Sequence, residues 1–190
     1  MKKLIWLVAL PVVLVACGGA QEPATESEAA PAAAAQPYAT LAQLMRALPF
    51  PNSNTIFDTQ DKDPEAPAQG ADPSQGATAT YGGLYGGWQG VENAALMLAE
   101  TANLIMIPGR LCENGLPVPL DREDFRKAAE GLAAAGQAAY KAAQSKNQDQ
   151  MIEAAGVVAD ACAVCHEVYR DKPEGQMRCI PTPTEAAPAQ

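Results

Sequence analysis

The apolar positions of the chain fall into four stretches with helical spacing. Leu41, Leu44, Met45 and Leu48 lie at i, i+3, i+4 and i+7, the stripe of an amphipathic helix. Pro49 and Pro51 end or kink that helix, and Asn52 to Gln60 leave room for a further turn or two. A second helix is predicted from about Tyr85 to Ile107. There Trp88, Val91, Ala95, Leu98, Ala102 and Ile105 alternate three and four residues apart, and Pro108-Gly109 stops the run. A third starts at Asp121 as N-cap, with Asp124 three residues on, and buries Phe125, Ala128, Leu132, Ala135, Ala139 and Ala143. Gly131 and Gly136 weaken it by about 1 kcal/mol each against Ala, which close packing or a bound group would explain. Asn147 with Gln150 resembles a capping box for a fourth helix. Along it Ile152, Ala155, Ala159, Cys162, His166 and Tyr169 repeat the three-four spacing, and Pro173 and Gly175 end it.

Residues 61–84, rich in Asp, Pro, Gly, Ala and Thr, read as an irregular surface loop, long for a compact domain. Four helices with otherwise mostly short connections predict an all-α, up-down-up-down four-helix bundle with a long irregular loop between helices 1 and 2. Its Ala-rich stripes leave a thin core in places, and a large apolar cofactor between helices would fill that volume.

The N-terminal stretch has a different pattern. Lys2 and Lys3 precede an apolar run from Leu4 to Val15 that is too short for a comfortable membrane span and suits a signal peptide over residues 1–16. Leu14-Val15-Ala16-Cys17 looks like a bacterial lipobox, which implies lipidation of Cys17; the alternative is an ordinary signal peptide with a chance Cys near its cleavage site. Gly18 and Gly19 follow, and the lack of an Asp there fits the outer membrane better than the inner. Residues 17–37 then form a lipid-anchored flexible tether of Ala, Pro, Glu and Gly, with a mean reach of roughly 25 Å. The helical domain is expected over residues 38–180, and residues 181–190 form a frayed tail.

Charge narrows the partners. The formal charge is −9, and loss of Lys2 and Lys3 with the leader takes two positive charges and leaves −11. Nucleic-acid phosphates would repel such a chain. An acidic surface also suits docking to a basic patch on a partner, although solubility alone explains acidity.

The chemistry-bearing motif is Cys162-Ala163-Val164-Cys165-His166, a CxxCH attachment pattern for one covalent c-type haem. Two residues separate the thiols so that each reaches one vinyl group on the same macrocycle edge, and the adjacent His donates a ring nitrogen to iron. On a helix, positions 162, 165 and 166 share one face. Three other readings compete. A CxxC disulfide is strained in a regular helix and leaves His166 without a role. A thioredoxin-like redox motif wants a βαβ context that the pattern lacks. A zinc site needs about four ligands, and the chain has a single His. No paired carboxylates, nucleophile constellation or phosphate loop suggests an enzyme.

The stretch Cys162-Ala163-Val164-Cys165-His166-Glu167-Val168-Tyr169-Arg170, placed near the C-terminus on the last helix, resembles the cytochrome c-prime family, the class II c-type cytochromes. The resemblance covers about residues 38–172 and is specific in that motif only. It implies that Arg170 lies one turn beyond the proximal His166 and tunes charge at the haem edge; an exposed Arg favoured by the helix dipole is the plainer alternative. Tyr169 would pack near the haem or serve as a plain core aromatic. Met45 falls where the family's distal residue lies. Ligation by Met45 would give six-coordinate iron suited to electron transfer, whereas a Met that only packs would leave five-coordinate iron open to NO or CO. Met97 and Met106 are lesser candidates. Leu41 stands where many members carry an Arg, and the segment 49–84 is atypical. Relatives often form homodimers through helices one and two, an option the sequence leaves open.

Cys112 follows helix two and Cys179 follows helix four. In an up-down-up-down bundle these ends share a pole, and export favours pairing, so a Cys112–Cys179 disulfide is expected, with two separate thiols as the alternative. The leading functional expectation is a membrane-tethered periplasmic electron carrier working with a redox partner protein. The runner-up is a haem protein that scavenges or senses NO or CO.

Overall fold

Helix boundaries follow local chemistry at most ends. In the structure, a computed structural model that describes residues 35–66 and 86–180, the helices are α1 (Leu41–Ala47), α2 (Pro49–Phe57), α3 (Gly87–Ile105), α4 (Glu123–Ser145) and α5 (Gln148–Tyr169). A 3₁₀ turn, Asp58–Gln60, continues α2. The expected leader, Cys17, most of the tether, most of the 61–84 loop and the tail lie outside the described residues. Among the described residues there is no named strand, only an isolated bridge between Leu111 and Pro117, and no helix is long and apolar enough to cross a membrane.

The predicted first helix is two. Thr40 opens α1 with a reciprocal capping box, its hydroxyl accepting from Gln43 N at 3.3 Å while Gln43 Oε1 accepts from Thr40 N at 2.9 Å. Leu48 breaks the run, and Pro49 starts α2 at the one helical position where a missing N–H costs nothing. The break falls at the prolines, where the sequence places an end or a kink, and α2 beyond it packs against α3 and α5.

Every residue expected in the stripes of the second and third helices is buried, from Trp88 to Ile105 on α3 and from Phe125 to Ala143 on α4. Burying each large side chain contributes roughly 1.5–3 kcal/mol. The small residues set the spacing. A Cβ on Gly136 would fall 2.6 Å from Ala99 N and 2.9 Å from Ala95 O, so the backbones of α3 and α4 meet there. Gly131 has open space around it, so close packing does not account for it. Beyond the α3–α4 contact, α4 packs on α5, α2 on α3, and α5 on α2 and the 3₁₀ turn, closing the helices around one core.

Two expectations need correction. Asp121 does not cap the third helix: α4 starts at Glu123 with Arg122 as N-cap and no side-chain cap bond. The Asp124 carboxylate is held instead by Arg122 and Tyr169. On α5 the buried stripe is shifted by one residue in its first half. Met151, Ala154, Ala155 and Val158 are buried, while Ile152 is 38 % exposed and Ala159 is exposed. Met151 and Val158, seven residues apart, lie on the face that leads to Cys162 and Cys165; Ile152 lies one residue off it. The helix start is as expected, Asn147 Oδ1 accepting from Gln150 N at 3.0 Å. Gln150 does not complete a box, because its side chain accepts from Ser145 Oγ at 2.9 Å.

One pole ties the first helix to the last. Arg110 is buried, and its guanidinium donates to Ala39 O at 2.7 Å and to Leu104 O at 2.8 Å. Leu41 N donates to Leu111 O at 2.8 Å, fixing the start of α1. Cys112 and Cys179 form the expected disulfide, with Cα atoms 6.4 Å apart, and Cys179 N donates to Tyr169 O at 2.8 Å at the end of α5. The segment after α3 therefore holds both α1 and α5.

Candidate functional site

Helix α5 carries the CxxCH stretch on its inner face, and the bundle leaves a cavity of about 470 Å³ in front of it. Cys162, Cys165, His166, Tyr169 and Arg170 all line this cavity. Across it stand Leu41 and Met45 from α1, Phe50 and Phe57 from α2, and Phe125 and Leu132 from α4. The structure thus brings Met45, Cys162, Cys165, His166, Tyr169 and Arg170 to one cavity. Met97 and Met106 are not among the residues lining the cavity.

The volume has a sequence cause. Ala128 and Ala129 on α4 and Ala161 on α5 stand where bulkier residues would fill the gap. The walls are apolar with a few convergent polar groups, and the size lies within the usual range of ligand pockets.

Three donor groups project from α5. Cys162 and Cys165 are free, half-buried thiols. Burial pushes the Cys162 thiol up, with the nearby Arg170 charge pulling against it. Cys165 is pushed up to about 11 by burial, with Cys162 and Asp124 adding to the push. Redox-active cysteines need the opposite shift, toward thiolate, so this environment disfavours thiol–disulfide chemistry. Burial and the Arg170 charge hold the His166 imidazole below its ordinary value, leaving it neutral with a lone pair for a metal. Its ring makes no hydrogen bond among the described residues. Two adjacent thiols, a neutral imidazole and an apolar slot fit a c-type haem.

Arg170 stands one turn beyond His166, at the end of α5. It lines the cavity, yet it is exposed and its guanidinium pairs with Asp171 at 2.7 Å. Tyr169 is more than a core aromatic. Its ring meets Phe125 edge-on at 5.1 Å, and its hydroxyl donates to Asp124 Oδ1 at 2.9 Å. Arg122 Nε donates to that hydroxyl at 2.9 Å and to Asp124 Oδ1 at 3.0 Å, while Nη2 donates to Asp124 Oδ2 at 2.7 Å. Burial pushes the Tyr169 phenol up to about 12. Sequence reading missed this network, because 45 residues separate Tyr169 from Asp124 and only the α4–α5 packing brings them together. It also missed Glu113, which pairs at 3.6 Å with both Arg46 and Arg178 at the cavity rim.

No curated protein and no solved structure matches the chain. The family model described as Cytochrome C' does match, over residues 120–170, the stretch that contains α4, α5 and the CxxCH motif. Over that segment the chain is similar to the Cytochrome C' family, which suggests a haem-binding c-type cytochrome.

Proposed function

We propose that this protein is a membrane-tethered monohaem c-type cytochrome that carries electrons in the periplasm. The observation that carries the reading is that His166 on α5 and Met45 on α1 line one cavity, so donor side chains from two helices border the space a haem would fill. The haem would supply a one-electron iron couple. Cys162 and Cys165 would hold it through thioethers, His166 would be the proximal ligand and Met45 the distal one. The apolar walls from Phe50, Phe57, Phe125 and Leu132 would keep water away from the metal and raise the cost of charge there. Arg170 would add a partly compensated positive charge at the edge.

We read the helices as running up-down-up-down, which puts the ends of α3 and α5 at the disulfide pole. Acylated Cys17 would anchor the chain to a membrane, the outer one on the evidence of Gly18 and Gly19, and residues 18–37 would give the domain reach. The acidic surface would steer docking to a basic patch on a redox partner protein.

The test is direct. Protein exported and matured with the cytochrome c assembly system is expected to give a positive pyridine haemochrome assay and the mass of one haem adduct. Its ferric spectrum is expected to show a Met–iron charge-transfer band. High-spin features in place of that band would move the assignment to an NO- or CO-binding protein. A polypeptide without the adduct would end the haem reading altogether. Cys17→Ser is expected to move the protein from the membrane fraction to the soluble one.

A further inference from the structure

The Arg122–Asp124 pair behind the cavity wall has no role in the haem reading above. Arg122 and Asp124 do not line the cavity; Tyr169 and Phe125 do, and the Tyr169 hydroxyl reaches past the wall to both charges. The Arg122 and Asp124 side chains are 29 % and 32 % exposed, whereas the Arg170–Asp171 pair is 54 % and 51 % exposed. The field of the first pair is therefore less screened by solvent. Phe125, the residue after Asp124 on α4, itself lines the cavity, so the pair adjoins the wall through the chain as well as through Tyr169.

We propose that Arg122 and Asp124, bridged by Tyr169, are a balanced charge pair that sets the reduction potential of the haem iron. The inference rests on the haem reading above. Ferric haem carries one more positive charge than ferrous haem. A negative charge behind the wall favours the ferric form and lowers the potential, and a positive charge does the reverse. In the native protein the two charges largely offset each other across bonds of 2.7 and 3.0 Å. Neutralising either one exposes the field of the other. The two neutral variants must then move the potential in opposite directions, which a merely structural network would not do.

The experiment measures midpoint potentials of holoprotein at neutral pH, after the pyridine haemochrome assay has established haem content. Asp124→Asn is expected to raise the potential and Arg122→Gln to lower it. Each shift should be on the order of tenfold in the ferric/ferrous equilibrium, about 59 mV for a one-electron couple. Asp124→Glu and Arg122→Lys, which keep the charges, should return toward the native value. Shifts of the same sign, or none, in haem-loaded variants would overturn the proposal while leaving the haem reading intact. Where one neutral variant fails to accumulate, the other decides against its own conservative partner: a difference of the stated sign supports the proposal and equality overturns it. Absence of haem from the native protein would overturn the reading beneath it, and the haemochrome assay identifies that case separately.

Discussion

Cys179 is bonded to Cys112 across 67 residues of chain, and its backbone N–H donates to Tyr169 O at 2.8 Å, so the disulfide clamps the end of α5 onto the segment that follows α3. The same segment receives α1 through Leu41 N and Arg110. One covalent bond thus holds together the pole at which the helices bearing Met45 and His166 are fixed. Replacing both cysteines by Ser is expected to destabilise the protein. The loop-closure entropy of the unfolded chain sets an upper estimate of about 4 kcal/mol, reduced here because the remaining packing and the haem already restrict the chain. Urea denaturation of the double variant checks this, with a lower midpoint as the expected outcome.

Met45 stands on the last full turn of α1 just before the kink at Leu48–Pro49, half-buried and facing the cavity that His166 also lines. Met45→Ala is expected to abolish the Met–iron charge-transfer band and lower the reduction potential, with haem content unchanged because the thioethers remain. The stability cost should be below the roughly 2–5 kcal/mol of a fully buried Met→Ala. Retention of the band would assign the distal ligand elsewhere.

How much of this was legible beforehand depended on distance along the chain. The α3 and α4 stripes were readable because a periodic apolar face is a local property, and CxxCH because its chemistry fits within five residues. The α5 register was misjudged where the sequence offers Met151 and Ile152 side by side: both are apolar, and only packing decides which is buried. The role of Asp124 was misread for a related reason. An acidic residue near a helix start ordinarily serves the helix, but here it serves a tyrosine that arrives from another helix. The buried Arg110 had no sequence signal, since its partners are backbone carbonyls of Ala39 and Leu104.

The two glycines of α4 make a controlled pair. Gly136→Ala would set a methyl 2.6 Å from the Ala99 nitrogen, against backbone that cannot swing aside, so α3 and α4 must separate. A loss of about 1–3 kcal/mol is expected. Gly131 is exposed with nothing near its missing Cβ, so Gly131→Ala should stabilise by about 0.4–1 kcal/mol through helix propensity and a less flexible unfolded chain. Thermal melts of the two variants should move in opposite directions.

Acid should expose the linkage at Asp124. Burial alone would raise its carboxyl, but the hydrogen bonds from Arg122 and Tyr169 more than reverse this and hold it below the ordinary carboxylate range. The folded protein therefore binds a proton there less readily than the unfolded chain does. The stability that this confers is fully present above the unfolded value, near pH 4, and is lost as pH falls through the lower folded value. Asp124→Asn removes that contribution at every pH. The variant is expected to be less stable than the native protein at pH 7, and the gap should narrow steadily below about pH 4. Urea denaturation of haem-loaded protein at neutral and acid pH measures it. A gap that stays constant with pH would mean that the carboxylate is not held in its ionised form by these partners, and that Tyr169 and Arg122 join the two helices through packing alone.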